Sequence, residues 1–255
     1  IKSLGIKGVK LHPDYQQFEY FISSLPGKID RNEGELLCQG RNVVRLFGRE
    51  GEKYVVKRFK KANFFQRIAY TFFRKTKAER AYLYAGELRS RGFDTPHEIA
   101  YFEDAPGGLF QTGYFVSSYC DYPTAYPALV KTEDYDKKLA ASIAEHLAAL
   151  HRKGVLFGDL NLNNFLYHPK GDAYELVLID TNRSTFRPGV PSFEECMLNL
   201  QTLTHRRDLL EDMLSTYSKA MGWPKEQVVE GVFKALDRFE ARRSRKKKFK
   251  RMLGI

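Results

Sequence analysis

The segment from Gly154 to Ser184 constrains the fold most, because it places three polar side chains around one short apolar run. Asp159 is followed five residues later by Asn164, and the apolar, β-branched run Tyr174–Ile179 ends at Asp180. A continuous apolar run of this length, preceded by a Gly-Asp turn, is typical of a buried strand. We therefore expect a loop that carries Asp159 and Asn164, followed by a buried strand with Asp180 at its end.

These three side chains have the chemistry that phosphoryl transfer requires. Asp159, Leu160 and Asn164 match the D-L-x-x-x-N pattern of kinase catalytic loops, in which the Asp accepts the proton of the acceptor hydroxyl. Asn164 and Asp180 offer a carboxamide and a carboxylate to the magnesium ion that accompanies a nucleotide. The alternative is that Asp and Asn simply occupy turns, where they tolerate left-handed backbone.

A lysine upstream of this segment adds a second part of the pattern. Lys57 follows two valines in the stretch Glu52–Phe59, much as in the V-A-I-K strand that carries the phosphate-binding lysine of kinases. Taken alone, such a lysine is most often an exposed strand residue. The order of the elements is more informative, because Lys57, a helix, the polar loop and Asp180 follow one another as they do in kinases.

The helix after Lys57 is predicted over Lys77–Arg91, with Gly92 at its end. In active kinases a glutamate of this helix pairs with the strand lysine. Glu79 flanks the apolar face on a helical wheel and Glu87 points away from it, which favours Glu79 as the partner. A solvated glutamate is the alternative. The apolar face consists of Ala78, Ala81, Tyr82, Ala85 and Leu88.

A glycine-rich phosphate loop is almost absent. Between the first two expected strands stands the sequence CQGRN, with a single glycine at Gly40. Gly40 would let backbone amides approach a phosphate, and Arg41 would reach it with its guanidinium. An ordinary turn with a surface arginine is the alternative.

Taken in order, these motifs resemble those of the bacterial lipopolysaccharide kinase family. The family comprises the Kdo and heptose kinases of the inner core, related to Rio and aminoglycoside kinases. The resemblance extends from roughly Asn32 to the basic C-terminus. The matching segments are GRN at 40–42, VVKRF around Lys57, KAERAYLYA at 77–85, GFDTP at 92–96, FGDLNLNNF at 157–165 and IDTNRS at 179–184.

The resemblance implies an α+β, protein-kinase-like bilobal fold. Residues 1–118 would form a small, mainly β N-lobe, and residues 119–255 a mainly α C-lobe. It also implies ATP and Mg²⁺ as cofactors, and a Kdo or heptose hydroxyl of the lipopolysaccharide inner core as acceptor. The expected location is cytoplasmic, peripheral to the inner membrane.

The resemblance also assigns roles to individual residues. Asp159 would be the catalytic base, Lys57 the phosphate-binding lysine, and Asn164 and Asp180 the metal ligands. Together with the hairpin and helix residues discussed above, the residues expected to bind the nucleotide are Lys57, Gly40, Arg41 and Glu79.

Five positions depart from the kinase patterns. Phe157 and Asn161 stand where many relatives have His, and Ala81 where many carry the lysine-pairing Glu, so the pairing of Glu79 is in question. Gly158 replaces the Arg of the protein-kinase H-R-D sequence, and Thr181 follows Asp180 in place of Phe. Lys57, Asp159, Asn164 and Asp180 are all present, which favours an active enzyme.

Hydrophobic periodicity and turn residues predict the remaining organisation. We expect a short helix near Tyr15–Ser24, three strands within Glu35–Phe59, and a hinge between the lobes at Tyr119–Ala125. The other predicted elements are a strand at GVKLHP, strands Ile99–Glu103 and Gly113–Tyr119, a helix over Asp134–Lys153, a helix beginning near Phe193, and a helical C-terminal part broken at Gly222-Trp223-Pro224.

Positive charge is concentrated in two segments of a chain whose net charge is +11. Lys53–Arg80 has ten Lys or Arg against one acidic residue, and Ala241–Arg251 has eight and none. Such blocks are typical of tails that bind anionic partners. We expect the C-terminal block to bind an anionic membrane surface, with a solvated helix end as the alternative.

Aromatic residues alternate with basic ones between Lys61 and Arg74. This composition fits an element on a bilayer surface. It fits equally well a core element packed under the N-lobe sheet. The chain lacks the aromatic-rich sheet signature of RNA-binding modules, so no nucleic acid is expected as a partner.

Other classes of protein receive little support from the sequence. The three cysteines form no CxxC pair, which argues against a disulfide framework or a zinc site. The histidines show no metal-ligand spacing, no apolar stretch reaches transmembrane length, and no signal peptide is visible. The chain opens with Ile1 rather than Met, so we expect residues before it.

The sequence therefore predicts an ATP- and Mg²⁺-dependent kinase that acts on a sugar hydroxyl of the lipopolysaccharide core. Only about a dozen residues separate Asp180 from the helix expected near Phe193, and no A-P-E motif follows, which disfavours a regulated protein kinase. The alternatives are a Rio-like atypical protein kinase and a pseudokinase that binds nucleotide or anionic lipid.

Overall fold

The computed structural model describes residues 6–252, which divide into two compact units. The first contains the chain through Asp121 together with Asp180–Arg183. The second contains Tyr122–Ile179 and the chain from Ser184 onward. The change of unit at residue 121 lies within the stretch expected to be the hinge. The outermost parts of the expected lobes, residues 1–5 and 253–255, lie outside the described residues.

An antiparallel sheet of six strands forms the centre of the first unit. Its strands are β1 (Ile6–Leu11), β2 (Glu35–Gln39), β3 (Val43–Arg49), β4 (Glu52–Arg58), β5 (Glu98–Asp104) and β6 (Thr112–Ser118). Their spatial order is β1-β5-β6-β4-β3-β2. β4 is therefore an inner strand, hydrogen-bonded to β3 on one side and to β6 on the other. The strands predicted from the sequence are confirmed.

Helix α1 (Glu19–Asp30) covers one face of this sheet and is longer than predicted. The sequence predicted a helix near Tyr15–Ser24, whereas a 3₁₀ helix (Pro13–Phe18) precedes α1 and α1 continues through Pro26. A proline inside a helix costs about 3 kcal/mol. Leu25 and Ile29 are fully buried in the sheet's core cluster, and burying each stabilises the helix by about 1.5–3 kcal/mol, which offsets that cost.

Helix α3 packs against the same sheet and begins at a well-defined cap. Its bounds are Lys77–Ser90, and the predicted apolar residues are buried. The Thr76 hydroxyl accepts a hydrogen bond from the Glu79 amide and donates one to Glu103 on β5. Ala78 and Ala81 of α3 form a cluster with Phe59 at the end of β4. The start of α3 is thus fixed relative to the strand that carries Lys57.

Between β4 and α3 lies the short helix α2 (Phe64–Phe72), which has no buried residue. Its Asn63–Gln66 capping box fixes the first turn. The four phenylalanines at its ends are exposed: Phe64 by 63%, Phe65 by 80%, Phe72 by 68% and Phe73 by 80%. The core-packing alternative for residues 61–74 is therefore wrong for these four rings.

The second unit is mainly helical. Its helices are α4 (Ala125–Val130), α5 (Lys137–Arg152), α6 (Phe193–Leu200), α7 (Arg207–Met221) and α8 (Lys225–Met252). Its strands are the hairpin β8 (Phe165–Lys170) and β9 (Ala173–Leu178), and the short pair β7 (Val155–Leu156) and β10 (Thr185–Phe186). The predicted α5 is confirmed, with Leu139, Ile143, Leu147 and Leu150 buried. The break before α8 is confirmed by the left-handed Gly222.

A first unit built on a six-stranded sheet and a mainly helical second unit give the α+β class predicted from the sequence. No helix within residues 6–252 combines the length and the apolar character needed to cross a membrane. The 28-residue α8 ends in the basic block, and every side chain described from Ala241 to Phe249 is exposed.

Candidate functional site

Lys57 is positioned by the alternation of side chains along β4. Tyr54 and Val56 point into the core cluster that contains α1, so Lys57 projects from the opposite face of the sheet. Its ammonium lies 2.8 Å from the Oδ1 atom of Asp180, and the lysine side chain is only 16% exposed. The ring of Phe59 lies 5.3 Å from the same ammonium. The structure therefore joins two of the predicted site residues in one ion pair.

Asp180 is held by more than this ion pair. Asn182 Nδ2 also donates a hydrogen bond to Asp180 Oδ1, so that one oxygen accepts from two groups. The backbone of Asp180 is left-handed, with φ 62°, a conformation that Asp adopts more readily than most residues. Residues 181–183 form a 3₁₀ helix. Oδ1 therefore accepts from both Lys57 and Asn182, and the role of Asp180 as a metal ligand stays a prediction.

Glu79 does not fill the role expected for it in this structure. Within residues 6–252 the ion pair of Lys57 is with Asp180, and no Lys57–Glu79 pair is formed. Glu79 lies in the capped first turn of α3, and its charge acts on a neighbouring tyrosine. Burial, and after it the charge of Glu79, raise the pKa of Tyr101 to about 12. Ala81, the position where many relatives carry the glutamate, is buried against Phe59.

Several cations surround Lys77, and two of the four, Arg183 and Arg80, were not identified from the sequence. Burial lowers the pKa of the Lys77 ammonium, and four neighbouring cations lower it further. They are Arg183, Arg80, Arg41 and Lys57, in order of decreasing effect. Grouped like charges repel one another, so a group of this kind is typical of a site for a polyanion such as a triphosphate. The feature of the sequence that pointed to this group of cations was the high density of basic residues between 53 and 80.

Gly40 lies at the tip of the hairpin between β2 and β3. Its amide donates a hydrogen bond to the Asn42 carbonyl, and the Asn42 side chain accepts one from the Lys60 amide. A Cβ atom added at Gly40 would meet no heavy atom within 4 Å. The packing of the protein therefore does not require glycine here, and close approach of a phosphate stays a prediction.

The polar loop of the second unit is built around the carbonyl of Asp159. Asn164 Nδ2 donates to this oxygen at 2.8 Å, and Asn161 Nδ2 donates to it at 3.0 Å. Leu160 and Leu162 anchor the loop, each only 1% exposed. Asn164 thus uses its amide nitrogen within the loop, and its role as a metal ligand stays a prediction. Asp159 and Asn164 are thus brought together as predicted.

A buried hydrogen-bond chain supports this loop, and no pattern in the sequence predicted it. Asn199 Nδ2 donates to the carbonyl of Phe157, and Asn199 Oδ1 accepts from His151 Nε2. His151 Nδ1 then accepts from the Tyr217 hydroxyl at 2.7 Å. Burial lowers the pKa of His151 to about 4, although the bond to Asn199 opposes the shift. A neutral His151 is the form that satisfies this chain.

Phe157 explains one departure from the kinase patterns. Its side chain is 1% exposed and lies with its ring 6.3 Å from the Phe165 ring. The residue is therefore part of the apolar core under the loop, where many relatives place a histidine.

Two distant histidines come together in the first unit, contrary to the expectation from their spacing. Potential ligand atoms of His12, Asp14 and His97 all lie within 4.8 Å of one another. His12 Nδ1 already accepts a hydrogen bond from the Asp14 amide, and His97 Nδ1 is bonded to the Glu98 carbonyl. Both bonds are local, and the end of β1 is joined to β5 instead by the His12 amide, which donates to the Ile99 carbonyl, and by the edge-on contact of the His12 and His97 rings at 4.5 Å. This structural role explains the grouping.

Comparison with known proteins places the chain in a family. The profile of the lipopolysaccharide kinase (Kdo/WaaP) family matches residues 38–217, which include every predicted site residue. No curated protein sequence matches the chain significantly.

A solved structure shares the fold. A structure titled "WaaP in complex with acyl carrier protein" has a TM-score of 0.61 and 16% sequence identity, and the match covers 92% of this chain and 99% of that chain. A structure of WbdD has a TM-score of 0.44 at 17% identity, covering 77% of this chain and 49% of that chain. The similarity to WaaP confirms the protein-kinase-like fold.

Proposed function

The chain belongs to the lipopolysaccharide kinase (Kdo/WaaP) family, and we propose that it transfers the γ-phosphoryl group of ATP to a Kdo or heptose hydroxyl of the inner core. The observation that carries this proposal is the ion pair between Lys57 on an inner strand and Asp180. In kinases, these two positions hold the phosphates and the metal of the nucleotide. Kinase families use ATP, with Mg²⁺ as the usual metal.

The cations grouped in the first unit have the chemistry that the triphosphate of ATP requires. Lys57 and the cations around Lys77 would bind the triphosphate, with Arg41 and Gly40 at the hairpin tip as additional contacts. Asp180 and Asn164 would hold Mg²⁺ through oxygens, the ligand type that this ion prefers. When bound, Mg²⁺-ATP supplies the phosphoryl group and offsets its negative charge. The role of Glu79 in nucleotide binding stays a prediction.

Asp159 is proposed as the group that takes the proton of the acceptor hydroxyl. Its carbonyl is fixed by Asn161 and Asn164, so the loop backbone is held in place. Within residues 6–252 its carboxylate forms no ion pair, which leaves it available as a proton acceptor. Positioning a base in this way contributes typically 10²–10⁴-fold to the rate.

We further propose that the enzyme works at the cytoplasmic face of the inner membrane, where its lipid-linked acceptor is made accessible. The exposed basic end of α8 supports this location, because lysine and arginine clusters bind anionic lipid.

The proposal is tested by incubating labelled ATP and Mg²⁺ with lipid A-core and locating the label. We expect phosphate on a Kdo or heptose of the glycan. The Asp159→Asn variant should abolish transfer and leave nucleotide binding nearly intact, because it removes the proton acceptor and little else. Asp172→Asn, in the exposed turn between β8 and β9, is the matched control and should retain full activity.

Other outcomes identify the alternatives. Label on protein instead of glycan would favour a Rio-like protein kinase. Nucleotide binding without turnover on any acceptor would indicate a pseudokinase. Near wild-type transfer by Asp159→Asn would exclude Asp159 as the base.

A further inference from the structure

Helix α2 is amphipathic in the reverse of the usual sense, because its apolar side faces away from the protein. At 100° per residue, four apolar side chains fall within about 100° of the helix circumference. They are Phe64, Ile68, Phe72 and Phe65. Three of these are strongly exposed phenylalanines, and Ile68 is half-buried. A surface helix of a globular protein normally turns such a side towards the core.

The opposite side of α2 is firmly attached to the first unit. Arg67 Nε donates a hydrogen bond to the Phe110 carbonyl, and the Phe110 amide donates one to the Thr71 hydroxyl. The Tyr70 ring packs edge-on against the Phe110 ring at 5.3 Å. The Ala62 amide, just before the helix, donates to the Gln111 carbonyl. These contacts fix the orientation of α2, so the outward direction of its apolar side is a property of the fold.

Positive charge flanks this apolar side at both ends. Four exposed cations lie next to the phenylalanines: Lys60, Lys61, Arg74 and Lys75. No acidic residue occurs between Glu52 and Glu79. A partner of α2 must therefore be apolar where it meets the rings and negatively charged around them.

We propose that α2 docks the protein on an anionic bilayer, with Phe64, Phe65, Phe72 and Phe73 inserted at the level of the headgroups. Aromatic residues on one side of a helix with basic residues around them are the composition of interfacial helices. A nine-residue helix is about 13 Å long, too short to span a bilayer, so α2 lies in the membrane plane. This docking surface is separate from the basic end of α8 and does not depend on the kinase activity.

The test measures vesicle binding rather than turnover. The parent for every comparison has four cations of α8 changed to Gln, so that vesicle binding through the tail does not hide binding through α2. These cations are Arg245, Lys246, Lys247 and Lys248. The α2 variant is Phe65→Ser with Phe72→Ser. The control is Tyr20→Ser with Leu198→Ser, which removes two apolar side chains that are 91% and 55% exposed elsewhere.

Sedimentation with phosphatidylcholine vesicles containing phosphatidylglycerol should show at least a tenfold loss of binding for the α2 variant, because two aromatic side chains no longer leave water. The control should bind as its parent does. Binding of the parent should be weaker on pure phosphatidylcholine. With Trp223 changed to Phe in both proteins, a tryptophan placed by Phe72→Trp should shift its emission to shorter wavelength with anionic vesicles, and one placed by Tyr20→Trp should not.

Two results would overturn the proposal. Equal vesicle binding by the α2 variant and the control would show that the phenylalanines do not enter the bilayer. The second result has two parts: vesicles leave the Phe72→Trp emission unchanged, and the protein self-associates with increasing concentration unless Phe65→Ser and Phe72→Ser are introduced. Together these would assign the surface to a second copy of this chain. Circular dichroism of each variant verifies that a loss of binding is not a loss of folding.

Discussion

At the scale of single residues, the central feature is the pairing of Lys57 with Asp180. The pair is formed by groups that are only 16% and 29% exposed, so water screens their interaction incompletely. Lys57 orients the Asp180 carboxylate, and Asn182 supplies a second donor. We propose that a carboxylate held in this way requires little rearrangement to accept a metal ion.

Asp180→Ala should eliminate Mg²⁺-dependent nucleotide binding or turnover. We expect a loss of turnover on the order of a hundredfold or more, the scale on which one charge-stabilising group acts in a transition state. Titration of Mg²⁺ at fixed ATP, followed by a nucleotide-binding signal, measures the effect. Asp172→Ala is the matched control. An unchanged Mg²⁺ dependence would exclude Asp180 as a ligand and weaken the proposed kinase function.

At the scale of elements, α8 separates two roles along its length. Its first half carries Val228, Val232 and Leu236, all fully buried, whereas the side chains described from Ala241 to Phe249 are exposed and mostly basic. The buried half holds the helix on the second unit, and the basic half is free to meet an anionic surface. The sequence composition predicted the charge of this segment. The structure adds that its described side chains are exposed and are not packed against the rest of the protein.

Replacing four cations of this basic half by Gln should reduce binding to anionic liposomes and make the residual binding less sensitive to salt. Each cation near such a surface adds on the order of 1 kcal/mol, within a Debye length of ~8–10 Å. Turnover of a soluble, delipidated acceptor should barely change. The positions are Arg245, Lys246, Lys247 and Lys248.

A control with the same change in net charge replaces four exposed lysines of the second unit by Gln: Lys131, Lys137, Lys138 and Lys170. If the tail variant binds liposomes as well as this control does at physiological salt, the basic end of α8 does not dock the protein on anionic membranes. Loss of activity on the soluble acceptor would instead indicate that the cluster binds phosphates of the substrate.

At the scale of the whole molecule, two buried histidines connect stability to pH. Burial lowers the pKa of His146 and that of His151 to about 4 each, below the usual 6.5. Between pH 4 and pH 6.5 the unfolded chain binds more protons than the folded one, so the free energy of unfolding decreases as the pH falls. The stability is fully present above pH 6.5 and is lost progressively towards pH 4.

We expect the free energy of unfolding to decrease by about 2 kcal/mol for each histidine between pH 7 and pH 5. Urea denaturation at the two pH values measures the change. The His151→Gln variant, which keeps hydrogen-bonding groups but does not titrate, should show roughly half of the parent's pH dependence. A pH dependence in the variant as steep as in the parent would rule out His151 as a source of the acid sensitivity.

The sequence by itself determined the elements and the order of the chemical groups. The apolar periodicity of α3 and α5, the β-branched run of β9, and the D-L-x-x-x-N loop depend on local spacing, which a sequence displays directly. These features were sufficient to predict the α+β class, the kinase-like arrangement of motifs and the family. The basic end of α8 was equally visible, because charge density requires no knowledge of the fold.

Only the tertiary structure decided which distant groups meet. The choice of Asp180 over Glu79 as the partner of Lys57 depends on the packing of the 180–183 segment in the first unit. The support of the loop by His151 and Asn199 joins separate helices, and the outward apolar side of α2 depends on the anchoring of its other side to Phe110. The continuation of α1 through Pro26 required the sheet that buries its neighbours. In each case the deciding free energy comes from contacts between residues far apart in the chain, which local patterns do not encode.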